Sequence, residues 1–318
     1  MPPRASSHLR VLPHISQAID AGRPVVALET SVVSQGLPVP HNADAARRMV
    51  SAIESAGAIA AMTAVVCGTV ALGLDATELE RFLRRDGVRK VSARDLGVAV
   101  ALRADGATTV AATLAIASRA GVRVMTTGGI GGVHRGLPDH GRGRSSGAQV
   151  RDESADLHEL ARTPMVVVCS GAKSILDLPA TWERLDTLGV PVVGFRTDEL
   201  PAFFSATSGI RLTVRADTPE DVAAIASAHF ALGRQQSVLV VQPPPPDVAL
   251  QAETVDRAVD AALASAERDG IRGAEVTPYL LEAVARETDG RTLQANLSLL
   301  ETNARLAAAI AVTLAAKV

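Results

Sequence analysis

Met165-Val-Val-Val-Cys169-Ser-Gly-Ala-Lys173 is the stretch that decides the fold. Its first five residues are apolar without a polar residue at alternate positions, so they predict a strand covered on both faces, as in a parallel sheet. Val25-Val-Ala-Leu28 repeats the pattern and ends at Glu29-Thr30-Ser31, and Val122-Arg-Val-Met-Thr126 runs into Gly128-Gly-Ile-Gly-Gly132. Further strands are predicted over 57–66, 88–91, 190–194, 210–214 and 237–241. Helical spacing fills the intervals over 42–56, 76–84 (Asp75 as N-cap), 108–120 (stopped by Gly121), 156–162, 181–188 and 221–232. The last part reads as helix over 252–268, 277–287 and 296–316. This alternation predicts an α/β protein with a mostly parallel sheet and a helical C-terminal region. No shift in composition divides the chain and no repeat is visible, so a single domain over 1–318 is expected. The Gly-, Arg- and Ser-rich segment 136–151 predicts an irregular loop, and the prolines 243–246 an extended, polyproline-type linker.

The 318 residues, 32.9 kDa, are 47% hydrophobic and 21% charged with mean hydropathy +0.20, which supports a sizeable core and excludes general disorder. Net charge −2 and 2% aromatic residues supply neither the basic surplus nor the stacking rings of a nucleic-acid binder. Residues 1–10 lack the apolar run of a secretion signal, and the apolar stretch 306–316 is too short to span a bilayer. Cys67 and Cys169 both lie in apolar, strand-like runs and read as buried reduced thiols. A cytoplasmic protein without membrane or nucleic-acid partners is expected.

Of the 32 basic residues only three are lysines, Lys90, Lys173 and Lys317, so arginine serves wherever a positive charge suffices. Arginine cannot act as an amine nucleophile, which directs attention to the lysines that remain. Lys317 is a tail charge. Lys173 follows an apolar strand on a small-residue loop, where desolvation would free the amine; the alternative is a lysine bonded to a sheet-end carbonyl. Lys90 is either a phosphate anchor and second charge beside Lys173, or an edge charge paired with Asp86 or Asp95. Glu29, ending a buried strand, is either a positioned proton carrier or half of a buried salt bridge.

The glycine segment 128–132 offers either backbone N–H groups for an anionic oxygen or simple tight turns. Asp152-Glu-Ser-Ala-Asp156 with Glu159 holds a hard divalent ion on one reading. On the other, Ser154 or Asp152 caps a helix with acid in its first turn. His134 lacks a partner histidine at ligand spacing.

Beyond these single features, eight stretches in order resemble the pseudouridine-5′-phosphate glycosidase family. They are Val25-Val-Ala-Leu-Glu-Thr-Ser-Val-Val-Ser-Gln-Gly36, Lys90-Val-Ser-Ala-Arg-Asp-Leu96, Gly106-Ala-Thr-Thr-Val-Ala-Ala-Thr113 and Thr127-Gly-Gly-Ile-Gly-Gly-Val-His-Arg-Gly136. The others are Asp152-Glu-Ser-Ala-Asp-Leu157, Ser170-Gly-Ala-Lys-Ser-Ile-Leu-Asp177, Pro201-Ala-Phe-Phe204 and Thr277-Pro-Tyr-Leu-Leu281. The resemblance implies an α/β/α fold, a homotrimer, a divalent metal (usually manganese), and reversible cleavage of pseudouridine 5′-phosphate into uracil and ribose 5-phosphate. It further implies Lys173 as the nucleophile forming an imine with the sugar C1′ and Glu29 as proton donor. Lys90, Val110, Ser154, Ala155, Asp156 and Asn296 match substrate-binding positions, and Asp152 matches a metal ligand.

The chemistry explains these residue types. A base joined to ribose through carbon offers no leaving nitrogen to protonate, so an amine that opens the sugar as an imine must supply the electron sink. A carboxyl handles the proton, and Lys90, Arg94 or the glycine segment receives the phosphate. The chain departs from the resembled pattern at Gln35, where histidine is common, at Gln242, where asparagine is frequent, and in the longer segment 136–151. A Schiff-base aldolase acting on a sugar phosphate, or a non-catalytic sugar-phosphate-binding protein, satisfies the lysine logic alone.

Overall fold

In the computed structural model residues 9–135, 152–271 and 276–316 are described, and the predicted loop 136–151 lies outside them. Four apolar runs, β2 (Val25–Leu28), β8 (Val166–Cys169), β9 (Val192–Phe195) and β11 (Val238–Val241), are buried at every residue. A strand buried throughout has both faces covered, and the sheet is accordingly sandwiched between helices. With β3 (Ile59–Val66), β7 (Val124–Thr126) and β10 (Arg215–Ala216), they run parallel in the order β3-β2-β7-β8-β11-β9-β10.

The sheet is mixed at one end. The second half of β3 leaves β2 and pairs antiparallel with β4 (Thr69–Leu72) and β6 (Gly106–Thr108). Short β1 (Leu9–Val11) and β5 (Arg89–Val91) flank these parallel to β4 and β6. The chain steps from β2 outward to β3, then returns to place β7 on the other side of β2. That reversal opens a crevice at the carboxyl ends of β2 and β7, the usual ligand position in such sheets.

Helix α5 (Val110–Arg119) packs against β2 and β3, whereas α11 (Arg291–Ala315) packs along β2, β7 and β8 and contacts α2 (His41–Ser55) and α8 (Pro219–Ala231). One contiguous core joins these elements. Asp75 caps α3 (Ala76–Arg84) as predicted, and the structure adds a reciprocal capping box with Glu78. The other helices are α1 (Pro13–Asp20), α4 (Leu96–Ala101), α6 (Ala155–Leu160), α7 (Leu178–Thr187), α9 (Ala252–Arg268) and α10 (Val276–Glu287).

Several expectations need correction. The predicted strand 210–214 does not form: Leu212 N–H and Ile210 C=O bond the turn residues Asp198 and Leu200, so pairing with β9 begins only at Arg215. Thr108 closes β6 instead of opening a helix; its hydroxyl lies buried among those of Thr30, Thr63 and Thr113, and Thr109 becomes the N-cap of α5. Cys67 is exposed, on a turn with φ 47°, whereas Cys169 is buried as expected; both are free thiols. Helix α11 begins at Arg291, earlier than predicted, and at 25 residues is long and apolar enough to cross a membrane. More than half of its apolar window is buried in the protein, which makes it the central helix of one covering layer. Elements β1, β4, β6, α1 and α4 lack a strong pattern because they are short or lie at the sheet margin.

Candidate active site

The parallel register places the carboxyl ends of β2, β7 and β8 side by side. A cleft of about 420 Å³ opens there, lined by Glu29, Lys90, Val110, Asp152, Ser154, Ala155, Asp156, Lys173 and Asn296, so all nine residues that the resemblance implies face one space. A second cavity of about 630 Å³, walled by the prolines 243–246, contains none of them.

Glu29, directly after β2, is 4% exposed. Its two oxygens accept short hydrogen bonds from the hydroxyls of Thr127 and Ser31. No cation lies within ion-pair distance among the described residues, so the buried salt bridge is not what holds it. Lys173 reaches the cleft from the opposite side, beyond β8. Its Nζ donates to the Gly129 carbonyl at 2.8 Å, while its backbone N–H donates to Ile130 at 3.1 Å. Both ends of the side chain are thereby tied to the glycine segment, with no carboxylate partner among the described residues. The sheet-end carbonyl bond expected of a structural lysine is present, and it leaves the amine in the cleft.

The glycine segment is built for close approach. A Cβ on Gly131 would fall 2.2 Å from the Ser154 hydroxyl, and Gly171 (φ +87°) would bring one within 2.3 Å of the Pro201 carbonyl. Its N–H groups are partly committed: Ile130 donates to Gly171 and Gly131 to Asp156. The Asp156 carboxylate also accepts from Ala111 N–H at 2.9 Å, so it clamps the start of α5 against the glycine segment. With Ala111 paired to Asp156 and Ala112 to Thr109, the Val110 N–H is the first-turn donor left at the cleft wall.

Lys90 is exposed at the cleft mouth yet surrounded by protein. That crowding lowers its pKa, Lys173 adds to the effect, and Asp156 and Glu29 oppose it. Neither Asp86 nor Asp95 pairs with it; Asp95 turns to Arg94 at 3.6 Å and to the Ser92 N–H. Burial also lowers the pKa of His134, against the pull of Asp152 and with the push of Lys173 and Lys90.

Within the acidic cluster, Ser154 caps α6, Glu153 pairs with Arg184 at 2.9 Å, and Glu159 pairs with Arg162 away from the cleft. Asp152 remains at the cleft as a hard oxygen donor. Among the described residues no group of three or more His, Cys, Asp or Glu converges to ligate a metal. Asn296 is 6% exposed, and its Oδ1 is buried without a hydrogen-bond partner among the described residues. An unpaired buried acceptor in a cleft calls for a donor from a ligand. Sequence reasoning missed Ser31, Thr127 and Asn303; the seven-residue spacing from Asn296 to Asn303 on one helix face was the available signal for the last.

Comparison with known proteins identifies the family. The family model described as indigoidine synthase A like protein matches residues 14–313. A pseudouridine-5′-phosphate glycosidase of Gemmatimonas aurantiaca is 59% identical over 98% of this chain and 96% of its own length. One of Herpetosiphon aurantiacus is 49% identical over 96% of this chain and 98% of its own. The prealnumycin C-glycosynthase AlnA, solved in complex with ribulose 5-phosphate, superposes with a TM-score of 0.87 at 39% identity, covering 98% of this chain and 99% of that one. An indigoidine synthase A-like protein of Thermotoga maritima gives 0.84 at 36% identity, with 96% of each chain covered. Matching nearly end to end, the chain belongs to the indigoidine synthase A like family, beside proteins named pseudouridine-5′-phosphate glycosidase.

Proposed function

We propose that the protein is a pseudouridine-5′-phosphate glycosidase, which cleaves the C–C bond between uracil and ribose 5-phosphate reversibly. The observation that carries the reading is the pairing of a half-buried lysine, without a carboxylate partner among the described residues, and a buried glutamate on opposite sides of one cleft. In the reaction, the Lys173 amine bonds to C1′ as the ring oxygen departs, and the proton that the attacking nitrogen gives up passes to that oxygen. The nitrogen lone pair then forms C=N as the C1′–C5 bond breaks, and uracil C5 takes a proton that Glu29 supplies. Water hydrolyses the imine, releasing ribose 5-phosphate and the free lysine.

Lys90 and the Val110 N–H at the start of α5 suit the phosphate, with Ser154 and Ala155 beside them. Asn296 offers its unpaired oxygen to a hydroxyl or ring N–H of the substrate. Asp152 is the residue that would hold a divalent ion such as manganese. One carboxylate fits a hydrated hard cation that takes its other positions from water and substrate oxygens. Such an ion would supply positive charge beside the substrate anion. A cytoplasmic homotrimer completes the reading; light scattering should return three times the 32.9 kDa chain mass.

Borohydride reduction with ribose 5-phosphate, followed by mapping of the modified peptide, tests the imine. An adduct on Lys173 that is lost in Lys173→Arg is expected, and an undiminished adduct in that variant refutes the assignment. Glu29→Gln should still trap the sugar while uracil release falls about 10²–10⁴-fold. Triose release instead of uracil would favour an aldolase, and binding without any adduct a non-catalytic sugar-phosphate protein.

A further inference from the structure

Asn303, on α11, is wholly buried and touches neither Glu29 nor Lys173 by hydrogen bond. Its Nδ2 donates to the Thr127 carbonyl at 2.9 Å and lies 3.1 Å from the Ser170 hydroxyl. It therefore bridges the loop after β7 to the loop after β8, reinforcing the backbone bond from Ser170 N–H to the Gly128 carbonyl at 2.8 Å. The first loop carries the Thr127 hydroxyl that donates to Glu29 and the Gly129 carbonyl that receives Lys173 Nζ. The second carries Lys173 itself.

An amide is useful here only in one orientation. Were it turned over, its carbonyl oxygen would face the Thr127 and Gly128 carbonyls, and the contact would repel. Gln242, immediately after β11, supports that orientation with the shorter bond: its Nε2 donates to Asn303 Oδ1 at 2.8 Å, and the Ser170 hydroxyl lies 3.3 Å from the same oxygen. That gives a role to one of the positions where the chain departs from the pattern it resembles.

We propose that Asn303, oriented by Gln242, is a positioning residue that sets the distance between the Glu29 acid and the Lys173 amine by locking the two loops together. The inference rests on the imine reading above. It acts through geometry alone, with no bond made or broken at Asn303.

The test measures kcat and KM for uracil release from pseudouridine 5′-phosphate, the rate of borohydride trapping with ribose 5-phosphate, and the melting temperature. Asn303→Asp replaces the donor by an oxygen at constant shape, and Gln242→Leu removes only the orienting bond. For folded Asn303→Asp, kcat should fall about 30- to 100-fold with KM held within about threefold, as expected for displaced reacting groups. For Gln242→Leu a fall of about three- to tenfold is expected, and the double variant should fall by less than the product of the two. If Asn303→Asp does not fold, Gln242→Leu decides alone. An unchanged kcat in the folded variants overturns the proposal, as does a lowered melting temperature with kcat and KM per folded enzyme intact. Absence of an adduct in the unsubstituted protein sinks the imine reading itself; normal trapping there with equally fast trapping and turnover in the variants sinks only the positioning role.

Discussion

Lys173 Nζ rests 2.8 Å from the carbonyl oxygen of Gly129, a neutral backbone acceptor on the loop that follows β7, the strand between β2 and β8. A carbonyl can accept from an ammonium or from an amine, so this contact holds the side chain in place without demanding that it be charged. A carboxylate in the same place would hold it as the ammonium. The same peptide stretch presents the Thr127 hydroxyl to Glu29, so one short loop orients both side chains.

Asp156 should prove more important to the fold than its place in the cleft suggests. Its oxygens accept from Ala111 and Gly131 N–H groups, both at 2.9 Å. Asp156→Asn turns an NH₂ toward one of these donors and leaves it buried and unpaired, a loss of about 1–3 kcal/mol. Ser154→Ala removes only a cap, with a loss of about 1 kcal/mol. Denaturant unfolding of both variants should give that order.

Phosphate binding should weaken at high pH earlier than lysine chemistry ordinarily dictates. Burial lowers the pKa of Lys90 from its ordinary 10.5, so on raising the pH the cation is lost below that value. KM for the sugar phosphate should rise through the same window while Lys90→Arg keeps it flat, since arginine stays charged. A flat KM profile in the unsubstituted protein would remove Lys90 from the phosphate site.

Asp152→Ala should abolish manganese binding, read by calorimetry or by the paramagnetic signal of free Mn²⁺, and with it any metal-stimulated turnover. Stability should stay within about 0.5 kcal/mol, because the residue is exposed. Full activity of the unsubstituted protein after exhaustive chelation would count against the site.

The two cysteines should behave oppositely. Burial pushes the Cys169 thiol up to about 12, so at pH 8 it stays protonated as well as inaccessible. Thiol reagents should modify Cys67 alone in the native protein and both residues after denaturation. Labelling of Cys169 without unfolding would show that the end of β8 opens.

What the sequence determined on its own is what short-range chemistry encodes. Solid apolar runs specified buried parallel strands, Asp75 specified a helix start, and the scarcity of lysine singled out Lys90 and Lys173. The motifs carrying Glu29, Asp152 and Asn296 were legible as well, through resemblance. The tertiary structure decided which polar groups keep a free valence. Asp156 and Ser154 stood among the predicted contacts; the structure adds that each Asp156 oxygen accepts from a backbone N–H and that Ser154 caps α6, whereas Asn296 Oδ1 has no partner among the described residues. Asn303 and Gln242 gain their roles only because α11 passes the ends of β7, β8 and β11, which brings Asn303 to partners 61 to 176 residues away along the chain. Hydrogen-bond partners at such separations are set by packing, and no local pattern records them.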